Sequence, residues 1–115
     1  MSAVTTHVLD TALGRPAAGV EVRLEQAGEA AGGGAVLGRA STDADGRVSD
    51  LGPAELAPGR YRLVFGTGAY SQASRPAEPP FFPEVTVTFT VTDPGRHYHV
   101  PLLLSPYGYS TYRGS

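Results

Sequence analysis

Residues 85–92 alternate without a break between apolar and threonine side chains: Val85, Val87, Phe89 and Val91 on one parity, Thr86, Thr88, Thr90 and Thr92 on the other. Successive side chains of an extended chain leave opposite faces, so this stretch buries one whole face as a β-strand. β-Branched residues on both parities strengthen that preference. The same period recurs over 20–25, where Val20, Val22 and Leu24 oppose Glu21, Arg23 and Glu25. Residues 61–65, set between Pro58-Gly59 and Gly66, form a further strand. Segments 4–10, 97–104 and 107–112 read as strands by composition. Turn signals separate them: Leu13-Gly14-Arg15-Pro16, Gly32-Gly33-Gly34, Asp43-Ala44-Asp45-Gly46 and Asp93-Pro94-Gly95. Residues 28–35 read as a flexible hairpin loop between two strands. Fifteen glycines and ten prolines in 115 residues punctuate the chain too densely for a helical protein. The expectation is an all-β, two-sheet β-sandwich of about eight strands, with one short helix near 66–74.

The length fits a single domain over residues 1–115. Nine basic against eleven acidic residues leave a net charge of −2, which points to neither nucleic acid nor membrane as a partner. The chain has no cysteine, which excludes disulfides, thiolate zinc sites and a cysteine nucleophile together. No basic segment followed by an apolar run opens the sequence, and no apolar stretch is long enough for a membrane span, so the expected compartment is the cytoplasm.

Three histidines occur: His7, His97 and His99. His97 and His99 lie two apart on an expected strand and leave one face, together with Pro101 and Leu103; Tyr98, Val100, Leu102 and Leu104 leave the other. Both faces are therefore apolar over several residues, as in a strand covered by another subunit or buried within the monomer. Pro101 suggests an edge or bulge there. On 4–10, Val4, Thr6 and Val8 form the core parity, which puts His7 outward with Thr5 and Leu9. A neutral imidazole in such a setting can act as a general base. Three histidines in this arrangement also match a zinc pattern. Arg47, following Asp45-Gly46, reads by itself as a solvated turn residue. Asp43-Ala44-Asp45-Gly46 lacks the further acidic ligands and closing glutamate of a calcium loop, and is a tight turn. No Gly-x-Ser-x-Gly elbow supports a serine nucleophile.

Five ordered motifs resemble a known family. Residues 97–115, HYHVPLLLSPYGYSTYRGS, resemble the C-terminal signature of the 5-hydroxyisourate hydrolases, with Tyr112-Arg113-Gly114-Ser115 its most specific part. Thr5-Thr6-His7-Val8-Leu9-Asp10, followed by Gly14-Arg15-Pro16-Ala17, resembles the opening motif. Thr42-Asp43-Ala44-Asp45-Gly46-Arg47, Gly59-Arg60-Tyr61-Arg62-Leu63-Val64-Phe65 and Phe81-Phe82-Pro83-Glu84 follow in the family's order. The resemblance implies the transthyretin fold and a homotetramer, a dimer of dimers, with active sites in the channel between dimers. It implies 5-hydroxyisourate as substrate, no cofactor and no metal, and 2-oxo-4-hydroxy-4-carboxy-5-ureidoimidazoline as product.

Carried over residue by residue, the resemblance makes His7, Arg47, His99 and Ser115 candidate catalytic residues and His7, Arg47 and Tyr112 candidate substrate-binding ones. His99 with His7 would handle the water and the leaving-group proton, and Arg47 would polarise a substrate carbonyl. Tyr112 and Ser115 would position ring and water, and His97 is the weaker candidate beside His99. The competing readings are a transthyretin-like carrier of a planar aromatic ligand, a structural sandwich module, and a zinc hydrolase using His7, His97 and His99.

Overall fold

The computed structural model describes residues 2–27 and 34–114, so Ser115 and most of the loop expected over 28–35 lie outside the described residues. In chain order the elements are β1 (Val4–Asp10), β2 (Arg15–Pro16), β3 (Glu21–Gln26), β4 (Val36–Ser41), β5 (Arg47–Val48), β6 (Gly59–Gly66), α1 (Thr67–Ser74), β7 (Val85–Val91), β8 (Tyr98–His99), β9 (Leu102–Ser105) and β10 (Gly108–Thr111). One sheet runs β4-β3-β6-β7, antiparallel throughout. The other runs β10-β9-β1-β2, and β5 and β8 also pair with β1. The all-β sandwich with one short helix is thus the observed fold. The helix begins one residue inside its expected span, after Gly66.

The alternating stretches supply the core. Val22 and Leu24 of β3, Leu63 and Phe65 of β6 and Val85 and Val91 of β7 are buried in one cluster with Val4 and Val8 of β1 and Leu102 and Leu104 of β9. Each such side chain withdrawn from water contributes on the order of 1.5–3 kcal/mol. The parity expected for β1 holds: Val4, Thr6 and Val8 are 0%, 1% and 0% exposed, while His7 and Leu9 are half-buried. Thr5 shares the outer parity yet is buried, because two imidazoles cover it.

Three local expectations change. The strand expected over 97–104 is broken into β8 and β9, with His97 outside both. Val100 still donates its N–H to the Thr5 carbonyl at 3.0 Å, but Pro101 has no N–H with which to continue the ladder. Pro101 therefore occupies an interruption rather than an edge, since β9 lies between β1 and β10. Glu25, expected on the solvent face with Glu21 and Arg23, is buried. The β3–β4 register shifts between Leu24 and Glu25, and the Glu25 carboxylate accepts from the Arg23 guanidinium with Arg62 3.8 Å away. β2, β4 and β5 carry no sustained alternation and exist through pairing.

α1 is tied to the sheet of β1 through Asp10, the buried last residue of that strand. Its Oδ1 accepts from the N–H groups of Ala12 and Leu13 at 3.0 and 2.9 Å, and its Oδ2 accepts from the Tyr70 hydroxyl at 2.7 Å. Burial, reinforced by the Asp10 carboxylate, pushes the Tyr70 phenol up to about 12.

Candidate active site

β1 is flanked at its start by β8, parallel, and along its middle by β5, antiparallel. The registers pair Thr5 with His99 and His7 with Arg47. Paired residues share a face, and Thr5 and His7 are two apart on one strand, so all four side chains form a single patch on the outer face of the sheet. Thr5, Arg47, His97 and His99 line an open cavity of ≈ 250 Å³ there.

The turn before β5 holds two of these groups. Gly46 has φ +76°, a left-handed conformation, and an added Cβ would collide with the Val8 carbonyl oxygen. The Asp43 carboxylate accepts from the N–H groups of Asp45 and Arg47, both at 2.9 Å, which sets where Arg47 enters its strand. The Asp45 carbonyl accepts from His7 Nε2–H at 2.9 Å. A carbonyl can only accept, so His7 carries its proton on Nε2 and, when neutral, presents Nδ1 as its lone pair.

His99 is held differently. Its Nδ1 lies 2.8 Å from Thr5 Oγ1, and the same hydroxyl lies 2.9 Å from His97 Nε2. Burial pushes the His99 imidazolium below its ordinary value, and the positive charges of His97, Arg47 and His7 push the same way. His99 is therefore neutral at physiological pH. An imidazole of this kind can take a proton from water, and the Arg47 fork can hold a carbonyl or anionic oxygen.

The C-terminal segment closes one side. After β10, Arg113 lies over the Tyr98 ring at 4.9 Å, and Gly114 donates its N–H to the His99 carbonyl at 2.8 Å. Only glycine fits at 114, where an added Cβ would stand 2.5 Å from His99 Cδ2.

Of the sequence-derived candidates, His7, Arg47 and His99 come together. Ser115 lies outside the described residues. Tyr112, expected in the same pocket, instead lines a separate cavity of ≈ 240 Å³ with Phe89, Tyr98 and Val100, just beyond the end of β10 at Thr111. The zinc pattern is not realised: among the described residues, no group of three or more His, Asp or Glu side chains is arranged to hold a metal ion. Sequence reasoning missed Thr5. Its only signal was that it shares a parity with His7.

Residues 4–114 match the model of the HIUase/Transthyretin family. A protein called 5-hydroxyisourate hydrolase in Caulobacter vibrioides is 49% identical, with 100% of each chain covered. The solved 5-hydroxyisourate hydrolase of Klebsiella pneumoniae superposes with a TM-score of 0.82 at 38% identity, covering 100% of both chains. Sea bream transthyretin, solved in complex with thyroxine, superposes with a TM-score of 0.81 at 30% identity, covering 96% of this chain and 93% of that one. Backbone shape is shared equally with both solved proteins, while sequence identity is higher to the hydrolase. The chain belongs to the HIUase/transthyretin family.

Proposed function

We propose that this chain is an enzyme of urate degradation that hydrolyses 5-hydroxyisourate, opening its six-membered ring to give 2-oxo-4-hydroxy-4-carboxy-5-ureidoimidazoline. The observation that carries this reading is the grouping of a neutral His99 with Arg47 and His7 on one outer face. Ring opening needs an activated water, a polarised carbonyl and a proton for the leaving nitrogen. With Nδ1 turned to Thr5, His99 offers Nε2 to the water and then to the leaving group. Arg47, across the strand pair from His7, polarises a substrate oxygen through its planar fork. His7, held by the Asp45 carbonyl, meets the substrate through Nδ1. Ser115 enters the proposal only as the sequence neighbour of Gly114, which bridges to His99, with a hydroxyl suited to positioning water. Tyr112 enters the proposal as part of the tail that delivers Gly114 and Ser115. Every group named belongs to the protein, so the reading calls for no cofactor.

The whole chain acts as one domain, and the assembly we propose is a homotetramer, a dimer of dimers. Support comes from β7 and β10, which end their sheets without a further partner among the described residues, and from the exposed Phe81, Tyr107, Tyr109 and Tyr112. Among the described residues no helix is long and apolar enough to cross a membrane. We place the enzyme in the cytoplasm, where a chain lacking cysteine forgoes no crosslink.

The test is ultraviolet spectroscopy of 5-hydroxyisourate freshly generated from urate by a urate oxidase. Decay accelerated by the native protein, and slowed by roughly 10²–10³ in folded Arg47→Ala and His99→Ala variants, is expected. Decay at the spontaneous rate would reject the hydrolase reading in favour of a ligand carrier.

A further inference from the structure

The Thr5 hydroxyl has one proton and two histidine neighbours, His97 Nε2 at 2.9 Å and His99 Nδ1 at 2.8 Å. It can donate to only one of them and must accept from the other. The two rings lie roughly parallel, 24° apart with centroids at 6.4 Å, and the Thr5 hydroxyl is the hydrogen-bonding link between them. Their surroundings differ. His99, in β8, is half-buried between β1 and Gly114, while His97 precedes β8 and is exposed. A positive charge is therefore costly on His99 and solvated on His97.

We propose that Thr5 and His97 are positioning residues that set the tautomer of His99 and carry the charge it would otherwise accumulate, with Thr5 Oγ1 as the link. In the resting arrangement His99 Nδ1–H donates to Thr5 Oγ1, and the Thr5 O–H donates to His97 Nε2, so His99 Nε2 is a lone pair. When His99 Nε2 takes a proton from water, the Nδ1–H bond breaks toward Thr5 and the Thr5 O–H bond breaks toward His97. His99 is left neutral with Nε2–H, and His97 becomes the cation. When Nε2–H is given to the leaving nitrogen, the two transfers reverse. Protons balance at each stage, and no oxidant or co-reactant is involved.

The charged and titratable groups facing His99 agree with this direction. His7 from β1, Arg47 from β5 and His97 ahead of β8 all oppose a charge on its ring. Of these, His97 is the one hydrogen-bonded to the hydroxyl that holds His99.

This inference rests on the hydrolase reading for its kinetics but not for its tautomer chemistry, which can be read without substrate. The experiment pairs nitrogen-15 imidazole NMR with 5-hydroxyisourate turnover from pH 5 to 9, on the native protein, Thr5→Val, Thr5→Ser and His97→Gln. Valine keeps the shape of threonine and removes the hydroxyl; serine restores it. Glutamine at the exposed position 97 can accept a hydrogen bond but cannot take a proton, and it serves if Thr5→Val does not fold. Native His99 is expected as the Nδ1–H tautomer. In Thr5→Val His99 should become a mixture of tautomers. Turnover should fall roughly tenfold in Thr5→Val and His97→Gln with KM changed less than about twofold, part of the usual general acid–base contribution, and return in Thr5→Ser. Unchanged tautomers and an unchanged pH profile in folded Thr5→Val or His97→Gln would overturn the proposal. A native protein that shows the Thr5-dependent tautomer but leaves 5-hydroxyisourate to decay spontaneously would sustain the link and reject the hydrolase reading.

Discussion

Gly114 lies against the His99 ring so closely that a methyl group on its α-carbon would stand 2.5 Å from His99 Cδ2. The same residue donates its backbone N–H to the His99 carbonyl at 2.8 Å. The C-terminal segment and the imidazole therefore hold each other in place, and the absence of a side chain at 114 permits the approach.

Gly114→Ala must displace either the tail or the ring. Turnover of 5-hydroxyisourate should fall by roughly 10²-fold, the scale of loss from a misplacement near 1 Å. Stability should change by less than about 0.5 kcal/mol, since the substitution lies outside the core. Steady-state kinetics beside a thermal melt checks both; a large drop in Tm with intact turnover would contradict it.

Gly46 joins the turn to β5, and its left-handed φ of +76° brings its α-carbon close to the Val8 carbonyl. Gly46→Ala meets both backbone strain and a collision, and should cost about 1–3 kcal/mol. Gly46→Asn separates the causes, because asparagine tolerates the conformation but still collides. Denaturant melts should show both variants destabilised.

The Tyr70 hydroxyl donates to a carboxylate that is 6% exposed. Tyr70→Phe keeps the ring and strands one Asp10 oxygen, at a cost of roughly 1–3 kcal/mol. Turnover by the folded variant should be unchanged, as α1 is remote from His99. A urea titration measures the first and a kinetic assay the second.

His99 titrates below the ordinary 6.5 because burial, and then the charges of His97, Arg47 and His7, disfavour its cation. Between its folded and unfolded values the unfolded chain binds more protons, so stability rises with pH across that window. The contribution is complete above about 6.5 and is lost as pH falls toward the folded value. His99→Gln should flatten the part of the stability profile below pH 6.5, as read by urea midpoints at intervals from pH 8 to 5. Activity in the native protein should fall off at a lower pH than an unperturbed imidazole base would give.

Much of the sandwich was legible in residue order. The alternation over 85–92 appears as β7, that over 20–25 as β3 with its bounds moved by one, and the parity of β1 correctly put His7 outside and Val4, Thr6 and Val8 inside. The break between β8 and β9 was half legible: proline announced an irregularity, and the sheet decided that it would be an interruption in an interior strand. Arg47 read by itself as a solvated turn residue. Only the return of the chain through Gly46 pairs it with His7. Burial of Glu25 could not be read from its parity, because a register shift of the neighbouring strand turned it toward Arg23 and Arg62.

Residue order by itself determined which segments extend, which face of each is apolar and where the chain turns, because these depend on side-chain alternation and on the backbone freedom of glycine and proline within a few residues. The tertiary structure decided which outer-face residues meet. Thr5 touches His97 and His99, 92 and 94 residues away along the chain, because β1 and β8 pair in one register, and that register is set by how the two apolar faces fit together in the core.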